Sequence, residues 1–465
     1  MPLILSGNVA SATADAGYTV ANSCRFNDGD SAQAKKDTTS SDSIVDATIS
    51  MWVKRGTLGT AQVLLAGNYK SNNNYYCSLS FTSGDALSFK NYDNATNCEL
   101  ITTRLFRDCS AWYYICVECD LSDAEADRVK IYINGTTRET SFSTTTNMTG
   151  DQFLLGKSGY EVGVGALQDA SYFDGYMAEV CYVDGNAAGS PLTPSSFGEF
   201  DEDSPTIWKP KDVSGLSFGA NGFYLDFEDS SNLGNDANGG TDLTESNLAA
   251  ADQATDTPTN NFVTLNPLIR WGTNNSEFKE GNLVYDDSRG DWRSAIATFG
   301  ATSGKWYWEM KLGGGTYHQV GIVGTTSPTS AQNLIDQTAV HGGYSFYNTN
   351  GDLQARTDNS AISGWDTSTL GTTAETDDIL QVALDMDNKF LYFGKNGTFL
   401  KSGDPTSGAT GTGGINISAD YTSGVVAIPG VTMYDSSDGS LNFGSPAFTI
   451  SSGNADADGY GNFEY

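Results

Sequence analysis

Histidine is nearly missing from this chain, with two residues, His318 and His341, in 465. A nucleophilic triad needs a positioned base, most often histidine. No G-x-S-x-G elbow accompanies either one, so both are read as surface or loop residues and triad chemistry is set aside. Basic residues are scarce too, 25 against 57 acids, for a net charge of −32. Such a surface repels nucleic acid and anionic membranes, and neither is an expected partner. No apolar stretch approaches the length of a membrane span. The opening "MPLILSGNVASATA" lacks a basic n-region, so it is not read as a secretion signal. Convincing helical periods are also absent. The nearest, "LSDAEADRVK", reads as one short turn or a loop. The seven cysteines (Cys24, Cys77, Cys98, Cys109, Cys116, Cys119 and Cys181) are odd in number and irregular in spacing. The Cys116–Cys119 CxxC has no second ligand pair, which argues against zinc. The thiols are read as reduced core residues of a protein that folds in a reducing cytoplasm.

What is present points to strands. The chain carries 52 glycines and 23 tyrosines, and alternating short runs broken by Gly, Asn and Asp recur throughout, the pattern of an all-β protein. "DATISMWVKRG" (46–56) puts Ile49, Met51 and Val53 on one face. "AWYYICVECD" (111–120) sets Trp112, Tyr114, Cys116 and Glu118 against Tyr113, Ile115, Val117 and Cys119. "RVKIYINGTTR" (128–138) alternates and then meets Asn134-Gly135, a strong hairpin signal. "YFDGYMAEVCYVDG" (172–185) reads as a closing strand. With the entry "SCRFNDGDSA" (23–32), this ordered set resembles a laminin-G-like or concanavalin-A-like jelly roll. "GFYLDFEDSSNLGNDANG" (222–239) is read as an added edge strand.

The second half repeats the style. "SGKWYWEMKLGGG" (303–315) sets Trp306, Trp308 and Met310 on one face. In "DDILQVALDMDNKFLYFGKNGTF" (377–399), Leu380, Val382, Leu384 and Met386 face one way, and two tight turns join three antiparallel strands. With "QVGIVG" and "LNFGSPAF", these pieces resemble a SPRY domain. The expected fold is therefore all-β, with two jelly-roll-like β-sandwiches at 1–229 and 269–465. The polar, nearly base-free stretch 230–268 joins them as a linker or as a strap lying on a neighbouring domain.

Candidate sites are few. Glu118 and Asp120 share a strand face, an outline of the carboxylate pair of sugar-cleaving enzymes. They also end a strand that runs into solvent-like residues, and no catalytic residue is assigned. Asn27, Asp28 and Asp30 offer hard oxygen ligands of the kind that hold a structural Ca²⁺. The same residues equally build an Asx turn without metal. No other cofactor is expected. Trp271, Trp292, Tyr317, Tyr344 and Trp365 fall in or near presumed loops of the second domain, where rings can stack on sugars or anchor a protein partner. Core packing is the alternative for each.

The arrangement of the two domains, the acidity and the absent secretion signal resemble virion structural proteins of tailed bacteriophages of marine type. That resemblance implies a non-enzymatic tail-fibre, receptor-binding or head-decoration subunit. It would be made in the host cytoplasm, released by lysis and assembled as a homotrimer. Its partners would be other virion proteins and a host surface glycan or receptor. A bacterial carbohydrate-binding or adhesion protein and a sugar-cleaving tailspike remain open as alternatives.

Overall fold

The computed structural model describes residues 4–5, 17–39, 43–156, 158–185, 187–271, 276–287, 292–324, 342–357, 360–457 and 459–465. The chain divides into two compact units. One is Ala14–Asn261 and the other holds Phe262–Tyr465, with Ile4–Leu5 paired to Phe299–Gly300. Both are built almost wholly of strands.

In the first unit, one sheet runs in the order Val129–Ile133, Trp112–Asp120, Asp46–Arg55, Gly175–Asp184, Ser23–Phe26, Gln253–Ala254. The facing sheet runs Phe142–Thr146, Thr96–Leu105, Ala86–Asp93, Tyr75–Phe81, Gln62–Tyr69, Tyr160–Val164, Gln33–Asp37, Thr244–Ser246. Two-residue alternation decides which side chains meet between the sheets. Ile49, Met51 and Val53, with Ile115, Val117 and Cys119 and with Val129 and Ile131, enter the core as the sequence pattern implies. Their alternates Trp52, Trp112, Tyr114 and Cys116 form a second apolar layer on the outward face, together with Phe197, Trp208, Val213 and Phe218. All seven cysteines are free and buried.

One expectation changes here, and a second is narrowed. Asn134-Gly135 makes a tight turn, with Asn134 at φ +51°, but it closes only an isolated bridge between Tyr132 and Arg138. The next strand, Phe142–Thr146, crosses to the other sheet and pairs with Thr96–Leu105. Of the two readings of the polar stretch, linker or strap, residues 230–261 take the form of a strap on the first sandwich. Leu233 and Leu243 sit in the first core. Thr244–Ser246 adds to Gln33–Asp37, and Gln253–Ala254 adds to Ser23–Phe26. Asp256 then accepts from Lys54 Nζ at 2.6 Å and from Trp112 Nε1 at 2.9 Å, with Lys54 and Asp256 both almost wholly buried. A segment with few apolar residues is thus fixed by backbone pairing and by the buried ion pairs Lys54–Asp256 and Lys36–Asp236, which its composition does not reveal. The unit boundary falls between Asn261 and Phe262.

The second unit has the same layered plan. One sheet is ordered Leu265–Trp271, Arg293–Ala297, Ala427–Tyr434, Tyr317–Gly324, Tyr344–Thr349, Asp352–Thr357, Ser360–Ala361. The other is Ser276–Lys279, Val284–Asp287, Asp438–Asn442, Lys305–Leu312, Ile379–Asp385, Phe390–Lys395, Thr398–Phe399. Trp308, Met310, Leu380, Val382, Leu384 and Met386 fill the space between them. At the tight turn Asn396-Gly397, Asn396 has φ +46° and Gly397 has φ +80°. A two-residue hairpin requires this left-handed pair, and Asn-Gly adopts it at least cost.

Candidate functional site

The sheet Leu265–Ala361 of the second unit has a core face and an outward face, and its register can be read strand by strand. Val320 and Ile322 point to the core, so Tyr317 and Gln319 point outward. Tyr317 is opposite Tyr434, and Gln319 is opposite both Thr432 and Tyr347. Arg293 pairs with Met433, which places Trp292 beside Tyr434. Ser345, outward like Tyr347, pairs with Arg356.

The consequence is a row of rings across one end of the sheet. Trp292 stacks on Tyr434 with centroids 4.8 Å apart at 24°. It meets Tyr317 at 6.1 Å and Tyr347 at 5.9 Å, both inclined. Tyr317 stands edge-on to Tyr434 at 5.1 Å. The Arg356 guanidinium lies 5.5 Å from the Tyr347 centroid, which is cation–π range. Trp292, Tyr317 and Tyr434 remain half-exposed, while Tyr347 is buried. Asn350 Nδ2 reaches the Tyr317 hydroxyl at 3.4 Å. One step inward the face turns polar and buried. The Ser294 and Thr432 hydroxyls are 2.7 Å apart. Both amide atoms of Gln319, and the Ser345 hydroxyl, are buried without a hydrogen-bond partner. An orphaned buried polar atom costs on the order of 1–3 kcal/mol. The half-exposed rings offer a stacking face to a flat, hydroxylated ligand, with the Tyr317 hydroxyl and Asn350 at its edge, while Ser294, Gln319, Ser345 and Thr432 lie enclosed in the sheet.

Of the five ring residues singled out in the sequence, Trp292 and Tyr317 are brought together here. Trp271 ends the strand Leu265–Trp271, and its side chain lies outside the described residues. Tyr344 and Trp365 belong to the core instead. Tyr344 shares the inward alternation of Phe346 and donates its hydroxyl to Asp420 Oδ2 at 2.5 Å. Trp365 is 7% exposed and stands edge-on to Phe393 at 6.3 Å. The sequence suggests loops for both because the strand start at Tyr344 and the turn at Ile362–Trp365 carry no local signal of burial. Tyr347, Tyr434 and Arg356 are site residues that the sequence reading does not single out, although period-two alternation beside Phe346, Met433 and Ala355 marks all three as outward.

His318 is a further correction, being 1% exposed rather than on the surface. It alternates with Val320 and Ile322, its Nε2 lies 3.0 Å from the Gly314 carbonyl, and burial holds its pKa below the ordinary histidine value. His341 lies outside the described residues.

In the first unit, Asn27 Oδ1 accepts from the Gly29 amide at 3.0 Å, and Asn27 Nδ2 donates to Asp30 Oδ2 at 3.1 Å. The first of these bonds is that of an Asx turn, and the second turns an amide N–H toward the Asp30 carboxylate. Asp28 begins the 3₁₀ turn Asp28–Asp30. Among the described residues, no group of three or more His, Cys, Asp or Glu is placed to hold a metal. Glu118 is engaged by Lys130 Nζ at 2.6 Å and by the Tyr132 hydroxyl at 3.0 Å, while Asp120 accepts from the Ser122 amide in a local turn. A cleft of about 310 Å³ opens beside Leu100, Val129, Arg138, Glu139, Phe142 and Met148. Two of its charged groups are engaged, Arg138 by Asp127 and the Ala126 carbonyl, and Glu139 by Arg104 and two backbone amides, and Glu125 also lines it.

Comparison with known proteins places part of the chain. Residues 26–186 match the family model Laminin_G_3, described as the concanavalin A-like lectin/glucanases superfamily. A comparison with curated proteins gives no match. Similar solved structures include the SPRY domain of human HERC1, with 16% identity and a TM-score of 0.26, covering 38% of this chain and 96% of that one. A Ruminococcus gnavus IT-sialidase CBM40 bound to alpha2,3 sialyllactose has 18% identity and a TM-score of 0.24, covering 29% of this chain and 75% of that one. A heptameric SAP-like pentraxin from Limulus polyphemus has 12% identity and a TM-score of 0.27, covering 36% of this chain and 77% of that one.

Proposed function

We propose that this chain is a non-enzymatic, glycan-binding subunit of a virion surface. The ring row of the second sandwich is its sugar-facing site. The carrying observation is the cluster of Trp292, Tyr317 and Tyr434, half-exposed and bordered by Arg356 through Tyr347. The match of residues 26–186 to a lectin/glucanase superfamily supports sugar recognition as the chain's business. Cleavage would need one carboxyl free as an acid and another as a nucleophile or base. Binding without cleavage is supported by Glu118 and Asp120, which are committed instead to Lys130, Tyr132 and Ser122. The virion setting, production in the host cytoplasm, release by lysis, docking to other virion proteins and a homotrimeric state rest on the domain arrangement and acidity read from the sequence.

The test is a printed panel of neutral and sialylated oligosaccharides probed with the full chain and with Trp292→Ala, with Tyr317→Ala as a second probe of the row. Retention of at least one glycan by the wild type and its loss in Trp292→Ala supports the reading. No retained glycan, or equal retention by the variant, overturns it. Light scattering decides the assembly independently, since a closed cyclic oligomer has a mass that is a whole multiple of its subunit. Three times the chain mass of 49.4 kDa is expected for the trimer, and a monomer mass refutes it.

A further inference from the structure

We propose that Glu179 is a pH-governed clasp that holds the N-terminal arm, residues 17–22, on the first sandwich and releases it as the solution turns alkaline. The claim is independent of the glycan site.

Glu179 sits where the strand Gly175–Asp184 changes neighbours. Gly175–Met177 pairs with Ser23–Phe26, and Val180–Tyr182 pairs with Phe223–Leu225. On the opposite flank, the ladder to Asp46–Arg55 slips between Ala178 and Cys181. At this bulge Glu179 adopts φ +50°. That left-handed conformation costs a non-glycine residue energy and persists only where the surroundings enforce it. Its carboxyl group is almost fully enclosed, the residue being 6% exposed.

Two phenols close around it. The Tyr224 hydroxyl donates at 2.8 Å and the Tyr18 hydroxyl at 3.1 Å, and the two hydroxyls are 3.1 Å from each other. Tyr224 belongs to a strand of the sheet. Tyr18 belongs to the arm, whose other ties are the buried Val20 side chain and hydrogen bonds between the Val20 backbone and Thr259 Oγ1. The titratable groups facing this point are Tyr18 on the arm, Cys181 on the same strand, Tyr224 on Phe223–Leu225, and Asp226 and Glu228 just beyond. Asp212 stands toward Tyr18 and Asp236 toward Cys181. Every one of them is an acid, so none can compensate a carboxylate.

Protonated, Glu179 joins the two hydroxyls in a neutral three-membered network. Ionised, it places a charge in an enclosed site ringed by further carboxylates, and water must reach it. The strands are held by ladders, whereas Tyr18 is half-exposed on a segment without strand pairing, so moving the arm is the least costly way to hydrate the charge. Burial pushes the Glu179 pKa up from 4.5 to about 7 despite the two phenol donors. The closed form thus binds the proton more tightly and predominates below neutrality, and opening sets in as pH rises through about 7.

Hydrogen exchange read by mass spectrometry on the full chain tests this at about pH 6 and about pH 8.5, corrected for the intrinsic pH dependence of exchange. Protection of the peptide containing Tyr18 and Val20 is expected to fall about tenfold at the higher pH, while a core peptide across Ile115–Val117 stays protected. In Glu179→Gln the arm keeps its protection at both values. In Tyr18→Phe, which leaves the sheet intact, protection is low at both. Equal arm protection of the wild type at the two pH values, or an undiminished fall in Glu179→Gln, overturns the proposal.

Discussion

On the first sandwich the outward aromatic residues are roofed. Trp52, Trp112 and Tyr114 alternate with core residues and would stand in solvent, but they pack in one layer with Phe197, Trp208 and Phe218, with Tyr114 and Trp208 centroids 5.5 Å apart. On the second sandwich the equivalent alternation leaves Trp292, Tyr317 and Tyr434 half-exposed at the end of their sheet. The strand chemistry is the same in both. What differs, among the described residues, is whether a later stretch of chain returns to cover the face, which for the first sandwich is the stretch from 187 to 218. An outward ring on a strand therefore indicates a ligand only where no such return occurs.

The largest test of this contrast separates buried from exposed groups. Asp256→Ala removes the buried counter-charge of the Lys54 ammonium, which keeps its hydrogen bond to Asn261, and the acceptor of the Trp112 indole N–H, and should cost the first unit about 3–5 kcal/mol. Trp365→Ala should cost the second unit about 3–5 kcal/mol as a core cavity, with glycan affinity intact while the unit is folded. Scanning calorimetry with two resolved transitions checks both. A small effect of Trp365→Ala together with lost binding would return that residue to the ligand site.

The next effect is one of pH. The Glu179 carboxyl is raised from 4.5 to about 7 in the folded chain. Stability from its neutral form is therefore full below the ordinary carboxyl value and is lost as pH climbs toward neutrality. Glu179→Gln should thus stabilise the first unit by up to about 3 kcal/mol at pH 8 and change little at pH 4. Urea melts at the two pH values measure the difference. A gain confined to acid would reverse the sign and sink the assignment.

Smaller effects concern the ring row. Trp292→Ala should weaken glycan binding by roughly 30-fold, about 2 kcal/mol, in titration calorimetry. A tenfold loss in Arg138→Ala with none in Trp292→Ala would move the site to the cleft of the first sandwich. Smallest is Gln319→Leu, which removes an unsatisfied buried amide. It should raise the melting temperature of the second unit slightly, by about 1 kcal/mol of stability, and leave glycan affinity unchanged. A loss of stability would make Gln319 a packing residue.

Alternation in "SMWVKRG", "WYYICVECD" and "ILQVALD" is enough to place strands, faces and most of both cores, because period two is a local property that burial on one side imposes directly. Trp292 and Tyr317 are legible as candidates for the same reason. Their meeting with Tyr347, Tyr434 and Arg356 depends on the register of strands far apart in the chain, and no local pattern encodes that. The segment 230–268 reads equally as a linker or a strap because its few apolar residues give no hint of edge pairing. Histidine scarcity and the acidic balance are legible in the sequence by itself, since both follow from which residues exist, and they carry the expectation that neither a triad nor a polyanion partner belongs here. Only the tertiary structure decided that Tyr344, Trp365 and His318 are enclosed, that Asn27 closes a turn, and that Glu179 lies between two phenols without a cation. Enclosure and partnership are set by what distant strands bring to a side chain, which a residue's own neighbours in sequence do not specify.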